Sequence, residues 1–181
     1  MTRLPAALAC AALLFATSAD AGCPVDAAPR AAGVLISVQH ADGRISAWDA
    51  SRLRALGVQS WTERRSVEQT ASAPAEQPAI RYEGVRLRDL LSAADGADPA
   101  HDRTLRNAVF EAVADDGYRA LFSWGELFNG SAGEQTIVVL ARNGEPLDAR
   151  QGPLALRALA DHRPGPRHIR NLCALRVHRL P

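Results

Sequence analysis

The chain contains no lysine: all 21 of its basic residues are arginine. Arginine's planar fork usually hints at carboxylate or phosphate recognition. Here it fills every cationic surface position as well, a uniformity that points to genomic base composition, so a single arginine says little. Other absences exclude more. No Gly-x-Ser-x-Gly surrounds Ser123 or Ser131, so nothing supports a hydrolase nucleophile elbow. The histidines at 40, 101, 162, 168 and 178 form no i, i+4 zinc pair, and His162 and His168 in a proline-bearing loop are a weak metal signal. No internal repeat is visible. After the first residues no stretch of about 18 apolar residues occurs, so no further membrane-spanning helix is expected. A net charge of +1 is too near neutral for a general nucleic-acid binder.

The N-terminus reads as a secretory signal peptide over residues 1–21. Arg3 gives a positive start, Leu4 to Ala16 is nearly all apolar, and Ala19-Asp20-Ala21 supplies the small residues a signal peptidase reads. A lipoprotein signal acylated at Cys23 is disfavoured, because Asp20 stands where a leucine is usual. The expected product is periplasmic or secreted, with an N-terminal tail (22–33) and one domain (34–181). A mature chain of 160 residues is one domain by size and buries roughly 70% of its unfolded surface. It keeps Cys23 and Cys173, which in an oxidising compartment can join the tail to the last strand. Alternatively, Cys173 is a small buried hydrophobe and Cys23 stays free.

Local patterns give more strands than helices. Val34 to Val38 reads as a strand ended at Asp42-Gly43. Asp49 or Ser51 caps a short helix (52–56) closed by Gly57, and Val58 to Thr62 is a second strand. The polar, proline-bearing stretch 66–78 is an expected exposed loop. A strand from Ala79 to Tyr82 is expected to turn at Glu83-Gly84. An amphipathic helix follows over Val85–Ala94, which buries Leu87, Leu90, Leu91 and Ala94 and stops at Gly96 and Pro99. Ala108–Ala114 and Tyr118–Phe122 form a hairpin around Asp116-Gly117. Ser123 caps a helix over Trp124–Phe128, and Thr136–Ala141 is a buried strand turned at Asn143-Gly144. Ile169 to Val177 is the expected final strand, with Ile169, Cys173, Leu175 and Val177 on one face and His168, Arg170, Arg176 and His178 on the other. The helices do not alternate regularly with the strands, which favours an α+β domain around a mixed sheet.

The strongest signals lie in order along the chain. Tyr82-Glu-Gly-Val-Arg-Leu-Arg-Asp-Leu-Leu91 comes first, then Asp116-Gly-Tyr118 with Trp124-Gly-Glu-Leu127. Gly144-Glu-Pro-Leu147 and Gly152-Pro-Leu154 follow, and residues 163–171 lead into the last strand. This series resembles the oxidoreductase molybdopterin-binding domain, the sulfite oxidase-type fold, over about residues 34–178. The resemblance implies mixed β-sheets with short peripheral helices. It also implies a molybdenum–pterin cofactor whose phosphate is held by basic residues and whose metal is ligated by a cysteine thiolate from the segment before Tyr82. Residues 57–80 contain no cysteine, and that departure argues against ordinary molybdenum ligation.

From Arg142 onward eight arginines face three acids, a net of +5, which leaves −4 on the rest of the mature chain. A loop carrying His162, Arg163, Arg167, His168 and Arg170 can converge several donors on a phosphate or carboxylate, or it can be a solvated loop in an all-arginine protein. Asp116, Tyr118 and Arg119 are the neighbouring candidates, although Asp-Gly-Tyr is first of all a turn. The sequence thus supports a binding module for a small anionic ligand or a periplasmic protein partner, with no catalytic residue, metal or cofactor. The alternative is a molybdopterin-dependent oxidoreductase with another mode of ligation.

Overall fold

The computed structural model describes Cys23 and residues 31–63, 78–95, 100–163 and 165–181. Two five-stranded sheets result from the short β-branched and apolar runs. In the first, β1 (Val34–Gln39), β2 (Ile45–Asp49), β5 (Ala108–Ala114), β6 (Arg119–Ser123) and β10 (Leu172–Arg179) lie in the order β2-β1-β10-β5-β6. The β1–β10 pair is parallel and the other neighbours are antiparallel. The second sheet takes β3 (Gln59–Glu63), β4 (Ile80–Arg86), β7 (Thr136–Arg142) and β8 (Glu145–Pro146) in that order, with β9 (Ala155–Ala158) also paired to β7.

The main core draws Ile36, Val38, Phe110 and Leu175 from the first sheet and Val85, Val138 and Leu156 from the second. Helix α2 (Leu87–Asp95) adds Leu87, Leu90 and Leu91, with Ala94 packed at the margin. Helix α1 (Ala50–Ala55) is capped by Asp49, which accepts from the Arg52 N–H, and helix α3 (Trp124–Phe128) by a Ser123–Glu126 capping box. The fold is the α+β arrangement of mixed sheets and short helices expected from the sequence.

Three local expectations are corrected. Glu83-Gly84 is no turn: β4 runs straight through it, and α2 begins only at Leu87. Glycine is needed there because a Cβ at Gly84 would overlap the Val138 carbonyl oxygen of β7, at an irregularity in the β4–β7 register. The last strand starts at Leu172. Ile169 makes only an isolated bridge to Leu156, and Asn171, at φ +47°, breaks the extended run between them. Finally, Cys173 does not share a face with Leu175 and Val177. A register shift between Leu172 and Ala174 puts Cys173 and Ala174 together against Val113 and Cys23, away from the main core. The loop expected at 66–78 lies outside the described residues except for its last position, Pro78, and the Gly96 and Pro99 stops lie outside them altogether.

Cys23 and Cys173 are disulfide-bonded across a sequence separation of 150. In the chain-entropy account a loop of that length stabilises the fold by up to about 5 kcal/mol. On the same side of the first sheet Glu111, 7% exposed at its side chain, takes Arg119 at 3.0 Å, His178 at 2.8 Å and Arg176 at 3.8 Å. This cluster ties β5 to both of its neighbours. Burial alone would raise the Glu111 pKa, but the bonds from His178 and Arg119 outweigh it and hold the carboxyl below its ordinary value.

Two thermal-denaturation measurements check this description. Gly84→Ala is expected to cost about 3 kcal/mol, because backbone stands in the way of its methyl and cannot rotate aside. A wild-type-like Tm would refute the close β4–β7 approach. Reduction of the disulfide is expected to lower Tm markedly, with no such drop in a Cys23→Ser, Cys173→Ser double variant treated the same way.

Candidate functional site

The outer face of the second sheet builds the site. Strand periodicity sends Leu156 and Ala158 of β9 into the main core and turns Ala155 and Arg157 to the opposite side, beside Tyr82, Ile137 and Val139. Arg157 is 2% exposed. Its Nη2 donates to Glu63 Oε1 at 2.6 Å, the Tyr82 hydroxyl donates to Glu63 Oε2 at 2.9 Å, and the guanidinium lies 5.4 Å from the Tyr82 ring centre. Burial pushes the Tyr82 phenol above its ordinary pKa, against the pull of the Arg157 charge. The Nε of Arg157 is buried without a hydrogen-bond partner among the described residues. A cavity of about 280 Å³ opens beside it, with Arg142, Gln151, His168 and Arg170 among its walls.

The loops that bring those walls together are fixed by local chemistry. Asp148 Oδ1 accepts from the backbone N–H groups of Arg150 (2.9 Å) and Gln151 (3.0 Å). Gly152 follows at φ +76°, where a Cβ would collide with the Asn171 side chain. Asn171 N donates to Gln151 O at 2.7 Å and Leu172 N to Leu154 O at 2.9 Å, so the two loops are stitched together. One ring nitrogen of His168 lies 3.0 Å from Gln151 Oε1. A second, more open depression of about 460 Å³ adjoins the first through His168 and Arg170, and is lined also by Asp116, Tyr118, Arg150 and Gly165.

Of the residues singled out from the sequence, Asp116, Tyr118, His168 and Arg170 therefore come together. Asp116 and Tyr118 are turn-makers as well: Asp116 Oδ1 accepts from Tyr118 N at 2.9 Å, and the Tyr118 hydroxyl donates to Pro166 O at 2.6 Å. The other candidates are elsewhere. Arg119 is spent on Glu111, on the first sheet. Arg167 is committed to Asp161 and, at 2.7 Å, to Glu126, with its guanidinium 4.9 Å from the Phe122 ring centre, and these bonds raise its pKa further. His162 and Arg163 are exposed and line neither cavity. Missed were Arg157, Glu63, Tyr82, Arg142, Arg150 and Gln151. Arg157 carried a signal, as a lone charge inside the apolar run Leu154–Ala160, and Tyr82 headed the motif at 82–91 without being read as a site residue.

The Arg167 network predicts a pH effect. Burial would raise the Glu126 pKa, but the bonds from Ser123 and Arg167 outweigh it and depress the carboxyl. A depressed carboxyl contributes stability above its unfolded pKa of about 4.3 and loses it as pH falls through the lower folded value. Glu126→Gln should therefore lower Tm at pH 7, with the deficit shrinking below about pH 4. A deficit independent of pH would contradict the ion pairing.

Comparison with known proteins agrees with the architecture. The family model of the oxidoreductase molybdopterin binding domain matches residues 53–181. The crystal structure of the sulfane dehydrogenase SoxCD from Paracoccus pantotrophus superposes with a TM-score of 0.56 at 16% identity, over 79% of this chain and 37% of that one. At that identity the likeness is one of fold, and the match spans little more than a third of that chain. No curated protein sequence matches it.

Proposed function

The chain belongs to the oxidoreductase molybdopterin-binding domain family, and from that premise we propose that it is a secreted binding module for a small, phosphate-bearing or pterin-like anion. The observation that carries this reading is the gathering of Arg142, Arg150, Arg157, His168 and Arg170 around two adjoining cavities. The buried Nε of Arg157, with no acceptor of its own, adds a donor that a bound ligand would satisfy. The disulfide suits an oxidising compartment and supports export.

The donor set fits one part of a molybdopterin and not the other. Arginines and a histidine suit its phosphate. A thiolate for its metal is missing, since Cys23 and Cys173 consume each other, and the one remaining cysteine, Cys10, belongs to the apolar N-terminal run. Among the described residues no group of three His, Cys, Asp or Glu side chains could hold a metal ion. Family membership alone supports the second reading, a molybdopterin-dependent oxidoreductase with another ligation.

Isothermal titration of the purified protein with pyrophosphate and with a pterin monophosphate tests the proposal. Saturable binding is expected, weakened about tenfold by Arg170→Gln with Tm unchanged. Absence of binding, or binding indifferent to Arg170, would sink it. So would stoichiometric molybdenum in protein isolated from its native source.

A further inference from the structure

A smaller cavity of about 110 Å³ shares no residue with that groove. It opens from the main core beside α2, and its inner wall is apolar: Val38 of β1, Leu91 of α2, Leu105, Phe110 of β5 and Val177 of β10. His40, Arg44, Asp42, Asp95 and Arg179 form its polar part. The two acids there are already matched. Asp42 takes Arg44 Nε at 2.7 Å, and Asp95 takes His40 Nδ1 at 3.2 Å with Arg44 Nη2 at 3.7 Å.

His40 is fixed on its other side too, its Nε2 lying 3.2 Å from Ser46 Oγ, which also accepts from Trp48 Nε1 at 3.2 Å. Arg179 differs from its neighbours. Its backbone pairs with Ala108 in the sheet, but its guanidinium makes no hydrogen bond or ion pair within 4 Å with another described residue, and its charge reaches Asp102 through space. A chamber with an apolar inner wall thus ends at a cation that makes no ion pair, beside two carboxylates that share Arg44.

We propose that this cavity binds a small aliphatic monocarboxylate, its tail among Leu91, Leu105 and Phe110 and its carboxylate on Arg179. The size sets the class. The chamber is smaller than the roughly 150 Å³ apolar cavity that accommodates benzene, so it suits an aliphatic tail of about three to five carbons. Each methylene buried in it tightens binding about fourfold. Phosphate or sulfate, having no tail, gains only the screened charge of an exposed arginine.

The test is a calorimetric titration of the full protein with sodium acetate, butyrate, pentanoate, hexanoate and octanoate, and with neutral butyramide. Affinity is expected to climb about fourfold per methylene and to stop climbing by about hexanoate, with butyramide about tenfold weaker than butyrate. Arg179→Gln, on the surface, should weaken butyrate about tenfold with Tm unchanged, and saturating pyrophosphate should not compete. Affinity independent of tail length, equal binding of butyramide, or an unaffected Arg179→Gln variant would each overturn the assignment. Competition by pyrophosphate would overturn it as well, by assigning the carboxylate to the arginine groove.

Discussion

The place of β10 governs the rest of the molecule. It lies between the first strand and β5, parallel to one and antiparallel to the other. The first sheet is therefore continuous only when the two ends of the domain meet at its centre. The disulfide reinforces this closure, because it fixes residue 23 to the second residue of that strand. Pairings of such long range are slow to form, since loop closure is opposed by entropy before any contact offsets it. The same closure assembles the candidate site. The segment entering β10 carries His168, Arg170 and Asn171, and it is drawn across to Gln151 and Leu154 only because Leu172 must start the central strand.

The buried Arg157 is the second constraint, and its energetics point away from stability. Desolvating an ion pair costs several kcal/mol, and the attraction between the charges often does no more than offset that. Arg157 and Tyr82 both bond to Glu63, and the Arg157 Nε is left over. An apolar residue at position 157 would fill the same strand position among Ile137, Val139 and Ala155 without the desolvation. A charge retained at that cost, beside a cavity and with a donor unspent, fits a site better than a scaffold.

Local signals in the sequence were sufficient where local chemistry decides the outcome. Asp49, Ser123, Asp116-Gly117 and Asn143-Gly144 act where they stand, and the caps and turns followed from residue type. The leucine periodicity of α2 likewise specified its buried face. Failures occurred where a distant backbone intervened. Glu83-Gly84 has the composition of a turn, yet the Val138 carbonyl requires glycine inside a strand. Cys173 changed faces because of a bulge set by pairing with β5. Within the candidate site, residues close to each other in sequence separated: Arg167 turned inward to Asp161 and Glu126, while Arg170 stayed on the cavity wall. Glu63, Tyr82 and Arg157 are distant in sequence, and only the β3–β4–β7–β9 ladder brings them together.

That separation also changes the meaning of the basic C-terminal third. Its net of +5 suggests a broad cationic surface, yet three of its eight arginines are already committed. Arg157 serves Glu63, Arg167 serves Asp161 and Glu126, and Arg176 joins the cluster around Glu111. Each of these partners except Asp161 lies earlier in the chain, so much of the acidic excess there is consumed by arginines from the end. Arg142, Arg150 and Arg170 line the two adjoining cavities and form no ion pair among the described residues. In a protein whose every cation is arginine, residue type cannot mark a binding site, but pairing status can. A ligand carrying two or three negative charges matches that remainder, whereas a polyanion would need a wider field than three unpaired arginines provide.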